Sequence, residues 1–164
     1  RVQNFHNILG PRPRAALQEA PVGAAENTVF LIRVAHSSGM LEGKYTSETV
    51  FPPYDHRNHR PRSWLLKGVK KIDRLRFLES SERTLGQAAL KWLLADGRVA
   101  STLPNIYEEA QLLEFAKAPE CPSLTSDEMA KIAELYADNF GVERDELKFK
   151  GTMEMAEPAE AATT

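Results

Sequence analysis

Ser37, Ser38, Gly39 and Lys44 lie in the segment His36-Ser37-Ser38-Gly39-Met40-Leu41-Glu42-Gly43-Lys44-Tyr45, directly after the apolar run Val29-Phe30-Leu31-Ile32. Small residues let backbone N–H groups approach an anion closely, and a lysine adds charge. That is the chemistry of a phosphate cradle at the carboxyl end of a strand. A second strand-to-loop switch follows at Val99 to Asn105. The densest polar cluster is Asp55-His56-Arg57-Asn58-His59-Arg60-Pro61-Arg62. Asp55, His56 and His59 could be read as metal ligands, but they lack the rigid spacing of a zinc site. A basic loop that helps hold phosphates and a plain solvated loop are both better readings. Trp64 and Trp92 fall on apolar helix faces and read as core. The single cysteine, Cys121, sits between Glu120 and Pro122 with nothing beside it to lower its pKa, and reads as inert.

These residues need elements to position them. Residues 1–9 suit a short strand, broken by Pro11 and Pro13; the Ala-rich stretch 14–20 suits a short helix, closed by Pro21 and Gly23. Thr28 to Val34 is β-branched and apolar without polar alternation, as in a strand buried on both faces. A long His-, Arg- and Pro-rich loop covers roughly 36–62, and loops of this length are functional or disordered. From Ser63 the apolar residues Leu65, Val69, Ile72, Leu75 and Leu78 recur every three or four positions and predict a helix. Thr84-Leu85-Gly86-Gln87 is a capping box, opening a helix with Leu85, Ala88, Ala89, Trp92 and Leu93 on one face and stopping at Asp96-Gly97. Val99 to Leu103 reads as a strand, Pro104-Asn105 as a turn, and a further helix runs to about Ala118. A second capping box, Thr125 to Glu128, opens a helix with Met129, Ile132, Ala133, Tyr136 and Phe140 inward. The Ala/Glu/Thr-rich end is expected to fray, giving a body over 1–150 and a flexible tail over 151–164. Strands alternating with helices argue for parallel βαβ units in an α/β protein, with ligands at the carboxyl ends of the strands.

Composition bounds the function. The chain has 164 residues, 42% hydrophobic and 27% charged, ordinary for a globular domain. A net charge of −2 offers no basic field for nucleic acid. No apolar run approaches the roughly 18 residues that span a bilayer. No signal peptide is expected before the first strand, and one cysteine suits a reducing, cytoplasmic setting. Beginning at Arg1, the chain is expected either to lack its natural start or to have been processed.

Three segments together resemble the aldo-keto reductases. HSSGMLEGKY, residues 36–45, is similar to the small-small-Gly-x-Leu-x-Gly-Lys-Tyr motif after their seventh strand. Thr84 to Leu94 resembles the helix before their eighth strand. Val99 to Asn105, with Gln111 to Glu114, resembles that strand and the cofactor-binding helix after it. The resemblance covers residues 28–140 well and 1–10 loosely. It implies part of a TIM (β/α)8 barrel, strands six to eight with their helices, since a full barrel needs about 250 residues. It also implies binding of a nicotinamide dinucleotide, NADP with NAD as the alternative, in a parent enzyme reducing aldehydes or ketones. The family's catalytic Asp, Tyr, Lys and His belong to earlier strands and have no counterpart here, so the isolated chain is expected to be inactive.

The resemblance assigns cofactor contacts residue by residue. His6 stands where the family often stacks an aromatic ring on the nicotinamide. Ser37, Ser38, Gly39, Met40 and Leu41 match the loop along the pyrophosphate, followed by Lys44. Pro104 and Asn105 open the adenosine site, and Gln111 and Glu114 match side chains that bond adenine. Two departures stand out: Phe115 replaces the usual Asn, and no Arg or Lys stands near Tyr107 to meet a 2′-phosphate. The competing reading is a non-catalytic interaction module, or a degenerate remnant, that self-associates through open sheet edges.

Overall fold

The structure is a computed structural model that describes residues 2–5, 7–9 and 29–143. The short helix over 14–20, His6 and the tail over 151–164 lie outside the described residues. Three strands form a parallel sheet in the order β1 (Val2–Phe5), β2 (Phe30–Arg33), β3 (Val99–Leu103). Val2 pairs with Phe30 and Phe5 with Arg33; Phe30 pairs with Val99 and Arg33 with Leu103, with a register irregularity between Phe30 and Leu31. Parallel neighbours put all three carboxyl ends on one edge. At that edge Asn7 Nδ2 donates to Val34 O at 3.1 Å, and Asn7 Oδ1 accepts from Leu9 N at 3.0 Å.

Among the described residues four helices follow β2: α1 (Arg62–Leu75), α2 (Leu85–Leu94), α3 (Glu109–Ala116) and α4 (Ser126–Ala137). α1 and α2 both lie between β2 and β3. Both predicted capping boxes form: Thr84 accepts from Gln87 N while Gln87 Oε1 accepts from Thr84 N, and Thr125 and Glu128 do the same. The apolar stripe beginning at Leu65 leaves the helix at Leu75 and finishes in a 3-10 turn, Arg76–Leu78. The third predicted helix also ends early, at Ala116, with a 3-10 turn over Ala118–Glu120.

Three expectations need correction. β2 is not buried on both faces: Phe30 and Ile32 are buried, Leu31 is half-buried and Arg33 is exposed. Phe140 is buried but not helical, because α4 stops at Ala137 and Asn139 and Phe140 adopt left-handed φ of 47° and 62°. Ala133 faces outward, and Ile132 is the residue of α4 sealed in the core. The loop over 36–62 is ordered, with 3-10 turns at Met40–Glu42 and His56–His59.

The core divides in two. Ile8, Met40, Leu41, Leu65, Ile72, Leu75, Leu85 and Ile132 form one cluster, with Trp64 against its rim. Phe30, Ile32, Leu90, Leu93, Val99 and Phe115 form the other, under the sheet. α2 joins them: Leu85, Ala88 and Ala89 face the first and Leu90 and Leu93 the second, with Trp92 packed against both. Burial on both flanks explains why α2 is apolar over more of its circumference than an amphipathic helix needs. No described helix is long and apolar enough to cross a membrane.

Candidate functional site

Beyond β2 the backbone turns through conformations that L residues seldom adopt. Val34, Ser37, Ser38 and Gly39 have φ of 58°, 51°, 58° and 86°. A β-branched residue at positive φ is a strained outlier, and such strain gathers at functional sites. Gly39 is required twice over: its φ is left-handed, and a Cβ there would stand 2.3 Å from Tyr45 Oη. Most N–H groups of the turn are satisfied internally, Ser37 by Val34 O, Met40 by Ser37 O, Leu41 by His36 O, Glu42 by Gly39 O and Gly43 by Met40 O. Those of Ser38 and Gly39 make no hydrogen bond among the described residues.

Three elements hold this turn in place. Tyr45 Oη donates to Ser38 O at 3.0 Å and accepts from Arg57, whose guanidinium is in turn bonded to Asp55. The guanidinium's hydrogen bonds, acting against partial burial, hold the Asp55 carboxyl down to about 2. Burial pushes the Tyr45 hydroxyl above its ordinary pKa, so it stays a protonated donor. Arg60 Nη2 donates to Ser38 Oγ at 3.1 Å. From α2, Gly86 O accepts from His36 Nε2 at 3.0 Å. A carbonyl can only accept, so Nε2 carries a proton; Nδ1 is buried and has no hydrogen-bond partner among the described residues. His36 is 2% exposed and stacks on Phe115 of α3 with ring centroids 4.3 Å apart.

The two strand-end segments meet. Gln111 Nε2 donates to Glu42 Oε2 at 2.9 Å, while Gln111 Oε1 accepts from the N–H groups of Tyr107 and Glu108. Lys44 Nζ lies 3.4 Å from Glu42 and 3.9 Å from Glu114. Glu114 also accepts from Thr84 Oγ1 at 2.6 Å, and its carbonyl accepts from Gln87 Nε2 at 2.8 Å.

Of the residues assigned to a cofactor, Ser37, Ser38, Gly39, Lys44, Pro104, Asn105, Gln111 and Glu114 all come to this carboxyl edge. Met40 and Leu41 instead send their side chains into the core, where a Cβ on Gly68 would strike Met40 Cε at 2.3 Å. Their N–H groups are also spent within the turn. Lys44 faces carboxylates, so its charge is largely matched within the chain. Asn105 Nδ2 donates to Tyr107 Oη at 3.1 Å, and Arg57 lies 5.4 Å from the Tyr107 ring centroid. No group of three or more candidate metal ligands occurs among the described residues, and His56 Nδ1 lies 3.7 Å from Asp55 Oδ1. The sequence marks His36 and Tyr45 as ends of the turn motif and Arg57 and Arg60 as part of a basic cluster, but gives none of the four an individual role, because the contacts that assign one lie across the fold.

A parallel sheet with helices between its strands, and its loops gathered at the carboxyl edge, is an α/β arrangement of βα units. The sequence profile of the Aldo/keto reductase family matches residues 1–137, and the chain belongs to that family. Among solved structures it is similar to the glycerol dehydrogenase of Gluconobacter oxydans, at 22% identity and a TM-score of 0.66, covering 88% of this chain and 44% of that one. It is also similar to an aldo-keto reductase of Bacillus halodurans, at 21% identity and a TM-score of 0.55 for the apo form, covering 82% of this chain and 43% of that one. The chain therefore spans less than half the length of these solved relatives. No curated protein matches.

Proposed function

We propose that this chain is the C-terminal, cofactor-binding portion of an aldo-keto reductase barrel, with β1, β2 and β3 standing for strands six, seven and eight. The body over 1–150 would be that half barrel, and 151–164 a tail beyond it. The observation that carries the reading is the Gln111 to Glu42 hydrogen bond of 2.9 Å, which ties the turn after β2 to the start of α3. The two segments proposed to meet the diphosphate and the adenosine are thereby adjacent on one edge, as a dinucleotide would require.

The residues fit the phosphate end of such a cofactor best. The N–H groups of Ser38 and Gly39 make no hydrogen bond among the described residues. Pro104 and Asn105 would border the adenosine, and Gln111 and Glu114 would reach adenine only by exchanging bonds they now make within the chain. Bound there, NADPH or NADH would supply a hydride to an aldehyde or ketone. The cation expected beside Tyr107 for NADPH is absent from α3, and Arg57, which does reach that ring, is neutralised by Asp55. NADP remains the proposed cofactor, with NAD as the alternative. The family's proton-donating residues have no match in this chain, so we propose that it binds cofactor without reducing carbonyls, in a cytoplasmic setting and without nucleic-acid or membrane partners.

Titration of the 164-residue chain with NADPH, followed by tryptophan fluorescence, tests this. Saturable quenching without aldehyde-dependent NADPH oxidation is expected. Turnover by the isolated chain would refute the inactive half, and absence of binding would refute the cofactor site. A second reading, an interaction module, is favoured by one observation: Leu103, Ile106, Tyr107, Leu112 and Leu113 are exposed around the same edge.

A further inference from the structure

β2 carries one charged residue, and it stands at the end of the strand. Phe30 and Ile32 turn toward α2 and α3 and are buried, so Leu31 and Arg33 lie on the opposite face, Leu31 half-buried and Arg33 exposed. β3 has no charged residue; its Ser101 pairs with Leu31 and its Leu103 with Arg33, and both are exposed. Arg33 is thus the one charged side chain that β2 and β3 set on the uncovered face. Its place is fixed from three sides. β1 pairs with it through Phe5, β3 pairs with it through Leu103, and Asn7 Nδ2 holds the carbonyl of the next residue, Val34, at 3.1 Å.

In a closed barrel the uncovered face is interior. Such interiors are filled with layers of apolar side chains, and reactions run at the carboxyl ends of the strands. A cation within the layers would be costly to bury. At the carboxyl end of β2 it faces the mouth instead, on the strand that leads directly into the Ser37–Gly39 turn. A guanidinium keeps its proton and has no acceptor atom, so it serves neither as acid nor as base. It offers a planar fork of donors that matches a carboxylate. Arg33 has an interaction partner within the chain, and five N–H donors leave room for a ligand beside it. The neutral carboxamide of a nicotinamide would take one such bond and leave the charge unmatched; a carboxylate meets both.

We infer that Arg33 is a specificity-determining residue at the barrel mouth, and that the carbonyl compounds it selects carry a carboxylate: oxo acids rather than neutral aldehydes and ketones. The inference rests on the function proposed above, which makes the open face of the sheet the reaction side of a barrel. The turn after β2 would hold the cofactor, and Arg33, on the strand itself, the acid group of the substrate.

Nuclear magnetic resonance titration of the full chain tests this, with pyruvate as the probe and acetone as its neutral counterpart. The Nε–H signal of Arg33 is assigned by its loss in Arg33→Gln. Pyruvate is expected to move that signal saturably, with and without oxidised NADP, and with lower affinity as chloride rises. Acetone at the same concentrations should leave it in place. Read at the backbone N–H signals of β2, Arg33→Gln should weaken pyruvate binding about fivefold or more, and Arg33→Lys should recover only part, keeping charge but losing the planar fork. Lys70→Gln removes an exposed charge on α1 and should change affinity less than about twofold. Near-ultraviolet circular dichroism and the urea midpoint of each variant confirm that it is folded. Pyruvate affinity unchanged in Arg33→Gln, no saturable shift in the unaltered chain, or an equal response to acetone overturns the inference. If pyruvate binds through Arg33 while NADPH fails to quench tryptophan fluorescence, the carboxylate seat stands and the dinucleotide reading fails. If NADPH binds and pyruvate does not, the dinucleotide reading stands and the role of Arg33 fails.

Discussion

His36 shows how a residue's chemistry follows from its surroundings. In the sequence it is one polar residue after an apolar run. In the fold it is sealed between α2 and α3, donating from Nε2 to Gly86 O, stacked on Phe115, with no hydrogen-bond partner for Nδ1 among the described residues. Burial lowers its pKa, against the opposing pull of the Gly86 carbonyl, Glu42 and Glu114, while Lys44 lowers it further. The folded chain therefore holds the ring neutral at pH values where the unfolded chain, with an ordinary histidine pKa of about 6.5, takes up a proton. The unfolded state binds more protons in that window, so stability falls as pH drops below about 6.5. Urea unfolding between pH 7.5 and 5.5 should show this loss, with a slope of at most about 1.4 kcal/mol per pH unit from one proton. His36→Leu should flatten that slope; an unchanged slope in the variant would assign it to other groups. Tyr45 and Ser38 illustrate the same dependence, since neither residue type announces that one braces the carbonyl of the other at 3.0 Å.

Between elements, the decisive residue is Arg83, just before the capping box of α2. It is 5% exposed. Nε donates to Leu78 O at 3.1 Å, Nη1 to Pro122 O at 3.1 Å and Ser123 O at 3.2 Å, and Nη2 to Glu128 Oε1 at 2.5 Å. One guanidinium thus fixes the 3-10 turn after α1, the start of α2 and the entry to α4. Partial burial would raise the Glu128 carboxyl, but the Thr125 N–H and Arg83 hold it below its ordinary value. Arg83→Met should destabilise the chain by about 2–4 kcal/mol, because it strands buried carbonyls as well as a carboxylate. Glu128→Gln should cost clearly less, since the arginine keeps its carbonyls and the carboxylate side is more exposed. Equal losses in urea unfolding would show that the ion pair, not the carbonyl clamp, carries the effect. The capping boxes were legible because four local residues contain their whole logic. The Arg83 clamp was not, because its partners lie up to 45 positions away.

For the molecule as a whole, the sheet is covered on one face. Phe30, Ile32 and Val99 pack on α2 and α3, whereas Arg33, Ala100, Ser101 and Leu103 are exposed. Among the described residues, β1 and β3 are sheet edges. In a closed barrel that second face is interior and the edges are paired. Left open, they favour association. Light scattering of the purified chain at micromolar concentration should therefore give a mass above that of one 18.4 kDa chain. A sharp monomer would mean that residues outside the described ones cover the face, and would count against the interaction reading.

By itself the sequence determined what is local: the three strands' positions, the helices with their caps, and the glycine-bearing turn that resembles a family motif. Apolar period, capping chemistry and turn residues act over a few positions and can be read along the chain. Only the tertiary structure decided which face of β2 is covered, that α2 is buried on both flanks, and which charges are spent. Lys44, the sequence's obvious cation, meets Glu42 and Glu114, while Arg60, one of several arginines in a loop, bonds the Ser38 hydroxyl and no acid among the described residues. Charge pairing depends on distances across the fold, which residue order does not contain.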